Sequence, residues 1–399
     1  MKKMSIRLDK KEFFALILTL LSIWMSRTVF FGVVHHDIVR LIYVICLFAA
    51  LFSVSLNKDR LKNVSIKTAI ILILFSLNVL TCYENMNQTD YNAVFGYVII
   101  LLSGSIVAIL ISPELFTKYY IYIIIIYSII SIFCFIIANT NQDLAYSFCQ
   151  EGYNWEDPYG YSLFYTWGIN GTISSRNSGP FWEPGAFQGY IWIAIIFLLF
   201  NIDKNQIKNR KCFFVILIFT LLTTKSTTGY LLMPIAFIFF NKRICNILGI
   251  KKMNNKIILI IFIGLLGLAL LSSSEVVRDK IGNDDNISLQ MRTADVISGG
   301  ALALKAGPFG LGETNNRDVM RASMGLYKDD SAGLIQLTYT FGWFMGLCYI
   351  VFLSNVPKQL FLASNRYEYF GLLLLLLILH MTEGIWSLPL FWILLLEKN

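Results

Sequence analysis

The sequence predicts an all-α polytopic membrane protein of about twelve transmembrane helices, forming one integral domain over residues 1–399, and three observations predict it. The chain is 56% hydrophobic and only 15% charged over 399 residues, with a mean hydropathy of +0.63, whereas soluble domains carry roughly 25% charged residues. Apolar runs recur from Phe13 to Leu396, close to the ~20 residues that a helix needs to cross the ~30 Å hydrocarbon layer. The remaining charges sort by side. These features exclude a secreted disulfide scaffold, and no glycine fingerprint of a cytosolic nucleotide enzyme is present. Neither does the net charge of +8 point to a nucleic-acid partner, because it reports membrane orientation.

In chain order the expected spans are 13–31, 38–56, 66–82, 91–111, 117–138, 186–200, 212–224, 229–241, 256–272, 332–353, 367–381 and 385–396. The first follows Lys2, Lys3, Arg7, Lys10 and Lys11 without a small-residue cleavage site, so it reads as an uncleaved anchor. With the N-terminus inside, the cytoplasmic segments carry a charge balance of +15 and the opposite face −7, which together give the net +8. Both termini are therefore expected on the cytoplasmic side of an inner-type membrane. Spans 212–224 and 229–241, joined by Lys225-Ser-Thr-Thr-Gly229, read as too short to cross and should leave a wet hollow on the outer side. His380 and Glu383 border that cavity, as a proton-handling pair or as helix-end contacts.

Only two outer segments are long: 139–185 and 273–331. Chemistry is expected there, away from ATP, on substrates that are already energised. The first loop closes on Arg176-Asn-Ser-Gly-Pro-Phe-Trp-Glu-Pro, with Pro184 suited to a first helical turn. This is an anion site at a helix start, or a plain interfacial cap with Arg176 paired to Glu183. In the second loop come Arg292, the glycine run Gly307-Pro-Phe-Gly310-Leu-Gly312, and an amphipathic segment with Arg317 and Arg321. Glycine at that density can form a nest of N–H donors around a ligand. Arg317 and Arg321 suit lipid headgroups and a substrate phosphate equally. Clustered arginines on an otherwise acidic face argue for local anion binding, since guanidinium forks match phosphate oxygens.

These residues together resemble the O-antigen polymerase and ligase superfamily of bacterial envelope enzymes. The resemblance rests on Arg176-x-x-Gly179-x-x-x-Glu183-Pro184, on Ser226-Thr-Thr-Gly229 between two short spans, on Arg292 followed by Gly307 and Gly310-Leu-Gly312, and on the span layout. It implies a GT-C-like membrane glycosyltransferase, metal-independent and without a cofactor, that joins undecaprenyl-diphosphate-linked oligosaccharides on the periplasmic face. By that resemblance Arg176 and Arg292 hold the donor diphosphate, with Arg317 and Arg321 assisting. Glu183 is the candidate base, and Asp330 and Lys225 are acceptor-side candidates. The ligase branch carries a histidine near the end of its second large loop. Here that stretch reads Asp329-Asp330-Ser331-Ala332, which favours a polymerase over a ligase acting on a lipid A core. A chain-length regulator is the implied protein partner. The rival from another class is a flippase, which would show internal repeats and mid-membrane charges.

Other features have plainer readings. His35-His36-Asp37 reads as an interfacial turn, and Arg27 and Arg40 as snorkelling cations. Cys82 and Cys149 are the two outer cysteines, which allows a disulfide. Tyr153, Trp155, Tyr159, Tyr161, Tyr165, Trp167 and Trp182 crowd the first outer loop, as an interfacial belt or as platforms for sugar rings.

Overall fold

Helix α1, Lys10–Trp24, starts where the Asp9 carboxylate accepts the Lys10 N–H at 2.7 Å. The computed structural model describes residues 9–26, 28–86, 88–154, 157–169, 172–173, 176–200, 207, 209–251, 297–312, 333–359, 363, 365–382 and 384–396. Arg27, the expected span 256–272, Arg292, Arg317, Arg321, Asp330 and Glu383 lie outside these residues. After α1 a short π-helical turn, Val29–Val34, leads into α2, His36–Ser53. Asn57 caps α3, Lys58–Cys82, by accepting from the Asp59 and Arg60 N–H groups. Then follow α4, Gln88–Leu110, and α5, Pro113–Thr140, whose start combines a Ser112 cap with proline at the first position.

A short helix α6, Gln142–Ser147, opens the first outer loop. The loop then folds as an antiparallel meander of β1, Gln150–Asn154, β2, Asp157–Tyr161, β3, Thr166–Ile169, and β4, Thr172–Ile173. Tyr165 and Trp167 are buried against α5 and Ala145, so they are withdrawn from any sugar-stacking role. Burial pushes the Tyr165 phenol well above its ordinary pKa, with Cys134 adding to the shift.

The bundle is built around α7, Pro184–Phe200, which is buried without a break from Phe187 to Leu199. A helix that is apolar all round belongs inside other helices. Around it stand α5, α8 (Arg210–Thr223) and α9 (Thr227–Leu248). The second half adds a helical segment at 297–305, then α10 (Gly333–Phe341), α11 (Trp343–Gln359), α12 (Arg366–Thr382) and α13 (Pro389–Leu396). Among the described residues five helices are long and apolar enough to cross a membrane: α2, α3, the part of α4 from Asp90 to Leu110, α5 and α9. The chain is thus a predominantly α-helical, membrane-embedded protein.

Basic residues near one face cap helix C-termini. Arg60 donates to Ile111 O at 2.7 Å beyond α4, and Lys67 to Leu395 O at 2.9 Å at the end of α13. Arg210 bonds Leu198 O, and Arg243 bonds Leu199 O at 3.3 Å, both at the end of α7. Cations complement the exposed carbonyls and dipole there. Arg243 also grips Glu368 bidentately, with both contacts at 2.8 Å, and lies over the Phe200 ring.

That last pairing corrects an expectation. The second short span does not stop at 241: α9 continues to Leu248, bending at Phe240, because Arg243 is fully partnered by α12 and α7. The hairpin's outer hollow is also filled, as described below. Two other spans are broken. The run 332–353 divides at Gly342 (φ +91°). The run 385–396 becomes a 3₁₀ turn, Ile385–Ser387, followed by the eight residues of α13, which reach only ~12 Å.

The glycine run of the second loop lies against the first of these breaks. Leu311 N–H donates to Tyr339 O at 2.9 Å and Gly312 N–H to Thr340 O at 3.0 Å, while Trp343 N–H returns to Gly307 O at 3.1 Å. Buried Asn78 of α3 clamps both strands, donating to Phe309 O at 2.6 Å and Thr340 O at 2.9 Å. Two of the donors expected to form an anion nest, Leu311 N–H and Gly312 N–H, are therefore spent on backbone. The close approach that glycine allows serves the fold.

Candidate functional site

The outer end of α7 is where the sequence motif and the tertiary structure meet. Residues 177–181 are all buried, and the sequence explains how. Asn177 Oδ1 accepts the Gly179 N–H at 2.9 Å, an Asx turn that the following glycine completes with φ +52°. A Cβ on Gly179 would lie 2.7 Å from the Phe187 ring, so only glycine fits. The Asn177 amide donates to Ser131 Oγ at 3.1 Å and Thr223 Oγ1 at 2.8 Å, and its N–H bonds Thr223 O at 3.1 Å. This seats the loop on the short end of α8 and fills the hollow that the sequence placed there. Further pins are Thr166 N–H to Gly179 O at 2.8 Å and Val29 N–H to Pro180 O at 2.9 Å. Phe181 stacks on Tyr190 with centroids 4.0 Å apart.

Asn177→Ala removes three side-chain hydrogen bonds and strands the Gly179 N–H. A loss of ~2–4 kcal/mol is expected, measured as a fall in the thermal unfolding midpoint in detergent.

Arg176 stands at the edge of this platform, half-buried. Its Nε donates to Thr224 O at 3.2 Å, so the guanidinium also closes the C-terminus of α8. Tyr230 lies within electrostatic range of it and sends its hydroxyl to Leu222 O at 2.8 Å. Lys225 follows on the same turn. It is exposed, and it occupies the left-handed region (φ +48°), the one non-glycine described residue to do so. Glycine is the unstrained choice at that position after a helix. Lys225→Gly is expected to stabilise the protein by roughly 1 kcal/mol, seen as a raised unfolding midpoint. A lower midpoint would show that the side chain supports the fold.

Ser226 then caps α9, accepting the Gly229 N–H at 3.5 Å. The Ser-Thr-Thr-Gly motif is thus a helix start facing the outer end of α7. Glu183 supplies the carbonyl that accepts Phe187 N–H at 3.2 Å and leaves its half-buried carboxylate with no partner among the described residues. The alternative of an Arg176–Glu183 ion pair is therefore overturned. The guanidinium is instead turned to Thr224 O.

Of the predicted site residues, the structure gathers Arg176 and Lys225 on the α8–α9 turn and places Glu183 at the head of α7. Arg292, Arg317, Arg321 and Asp330 lie outside the described residues. His380 is not on the rim: it is buried, its Nδ1 lies 2.7 Å from Leu376 O, and its ring sits between Tyr349 and Phe391. Cys82 and Cys149 do not form the disulfide that the sequence allows: Cys82 sits against Gly310, while Cys149 packs beneath the meander. His36 pairs with Asp37 at 3.0 Å.

Sequence reasoning missed three polar residues. Asn177 could have been found from the Asn-x-Gly turn signature, and Asn78 from an amide inside an apolar span. Gln188 is fully buried, close to Gly229, and both its amide atoms are unpartnered. Its signal was a polar residue in the first turns of the most apolar long helix. Among known proteins, no family model matches the chain and no curated protein matches it in sequence.

Proposed function

We propose that the protein is a membrane glycosyltransferase that polymerises undecaprenyl-diphosphate-linked repeat units of a bacterial surface polysaccharide. The observation that carries the reading is the outer platform: Arg176 and Lys225 on one turn, with the unpaired Glu183 carboxylate on the neighbouring helix head. In this reading the chain has about twelve spans in a GT-C-like arrangement with both termini cytoplasmic, and lies in the inner membrane. The platform then faces the periplasm. In the same reading the helix-capping cations Arg60, Lys67, Arg210 and Arg243 belong to the cytoplasmic side, as the positive-inside rule expects.

The reaction forms a bond from an acceptor hydroxyl oxygen to the anomeric carbon of the growing glycan. The bond from that carbon to the diphosphate breaks, and the electron pair leaves with the diphosphate. Glu183 takes the hydroxyl proton, while Arg176, together with Arg292 by family resemblance, stabilises the charge that builds on the leaving group. Attack from the opposite face inverts the anomeric centre. Two lipid-anchored substrates held at one site gain by proximity. A chain-length regulator is the proposed protein partner.

The test is purified protein mixed with lipid-linked repeat units and no nucleotide. A ladder of glycan lengths is expected. Scrambling of the lipid-linked unit across vesicles without a ladder would replace the polymerase with a flippase.

A further inference from the structure

From Asn177 to Gly185 the side chains at the outer platform turn inward at every position except two. Residues 177–181 and 184–185 are buried, whereas Trp182 is 39% exposed and Glu183 is half-buried. The inward positions fix the backbone through the Asx turn, the ring stacks of Phe181, and the hydrogen bonds to Val29 and Thr166. Among the described residues the Trp182 ring and the Glu183 carboxylate have no ring, hydrogen-bond or charge partner, and Glu183 is held only through its carbonyl, which accepts from Phe187 N–H. A rigid backbone that presents an indole face beside an unpaired carboxylate is a preorganised binding surface.

We infer that Trp182 and Glu183 form the acceptor-sugar subsite. The indole takes the C–H face of a neutral pyranose ring, and the carboxylate accepts a hydrogen bond from one of its hydroxyls. The assignment rests on the reading of the protein as a glycosyltransferase. Indole faces suit a ligand that is apolar on one side and hydroxylated at its edge, and a carboxylate accepts from hydroxyl donors while repelling phosphate. The subsite therefore discriminates between the two substrates. Anionic diphosphate is drawn to the Arg176 and Lys225 turn, and the neutral sugar end of the acceptor to Trp182. Tyr161, Tyr165 and Trp167 of the same loop are buried, and its exposed Tyr146 and Phe148 belong to α6 and its C-terminal cap, not to the segment that carries Glu183. The alternative for an outward tryptophan at this level is a membrane-interface anchor.

Saturation-transfer NMR on the full-length protein in detergent tests the subsite without turnover. The probes are neutral methyl glycosides of glucose, galactose, mannose and N-acetylglucosamine. At least one is expected to receive saturation at its ring C–H protons, with a fivefold or greater loss in Trp182→Ala, partial retention in Trp182→Phe, and loss at the hydroxyl-bearing edge in Glu183→Gln. In the ladder assay Trp182→Ala should raise the acceptor KM at least tenfold with little change in kcat. Equal transfer to wild type and Trp182→Ala would overturn the subsite. So would strong quenching of the tryptophan emission by brominated lipid that is lost in Trp182→Phe, which would assign the indole to the bilayer. Glycoside binding that depends on Trp182 without ladders would leave the sugar site standing and sink the polymerase. Ladders with an unchanged acceptor KM in Trp182→Ala would do the reverse.

Discussion

Replacing Arg176 with lysine is expected to lower the rate of polymer formation ~100-fold or more while leaving the protein folded. The charge at the end of α8 survives the change, so the helix keeps its cation. The loop also stays seated, because Asn177 carries the hydrogen bonds to Ser131 and Thr223. What disappears is the planar fork, whose Nε is committed to Thr224 O and thereby fixes the plane of the guanidinium. Lysine offers a point charge on a flexible stem. In cells the expected outcome is single repeat units at the surface in place of long chains, with a purified variant whose unfolding midpoint matches wild type. The same change at Arg292 should act alike if both arginines hold one diphosphate. Normal long-chain polymer from Arg176→Lys in a deletion strain would remove Arg176 from the chemistry and leave it as a helix cap.

Gly310→Ala is expected to cost at least ~3 kcal/mol and to abolish stable expression. A Cβ there would lie 2.3 Å from Thr340 O and 2.5 Å from Gly342 N. Both obstacles are backbone, and the φ of +87° adds strain. Gly342→Ala meets the same wall from the other side, with Pro308 O at 2.3 Å. The control is Gly307→Ala. It shares a positive φ of +68°, but its Cβ would meet nothing within 4 Å, so its cost should be the backbone strain alone, ~1–2 kcal/mol. Thermal unfolding in detergent of all three variants separates the cases. Equal losses at Gly307 and Gly310 would refute the close backbone crossing.

The contrast between these two predictions marks what could be read in advance. Arg176 and Glu183 were legible because their neighbours, Gly179, Pro180 and Pro184, punctuate a loop that runs into an apolar helix. The glycine run at 307–312 was equally visible, and its density did signal close approach. The direction of that approach was not legible. The partner backbone, Tyr339–Gly342 at the C-terminal end of α10, follows only after the amphipathic segment with Arg317 and Arg321, and the clamp, Asn78, sits more than two hundred residues upstream. In the same way Trp167 and Trp182 stand together among the candidate sugar platforms in the sequence, yet one is buried beneath the meander and the other is exposed.

By itself the sequence determined that this chain lives in a membrane and roughly where most of its helices run. Those are properties of hydropathy and charge, which act residue by residue and survive being summed along a line. The tertiary structure alone decided that the hollow over α8 is filled by Asn177, that the glycine run grips a broken helix, and that the Glu183 carboxylate has no partner among the described residues. Each of these depends on which distant backbone groups satisfy one another where no water can, and no local window of sequence contains that information.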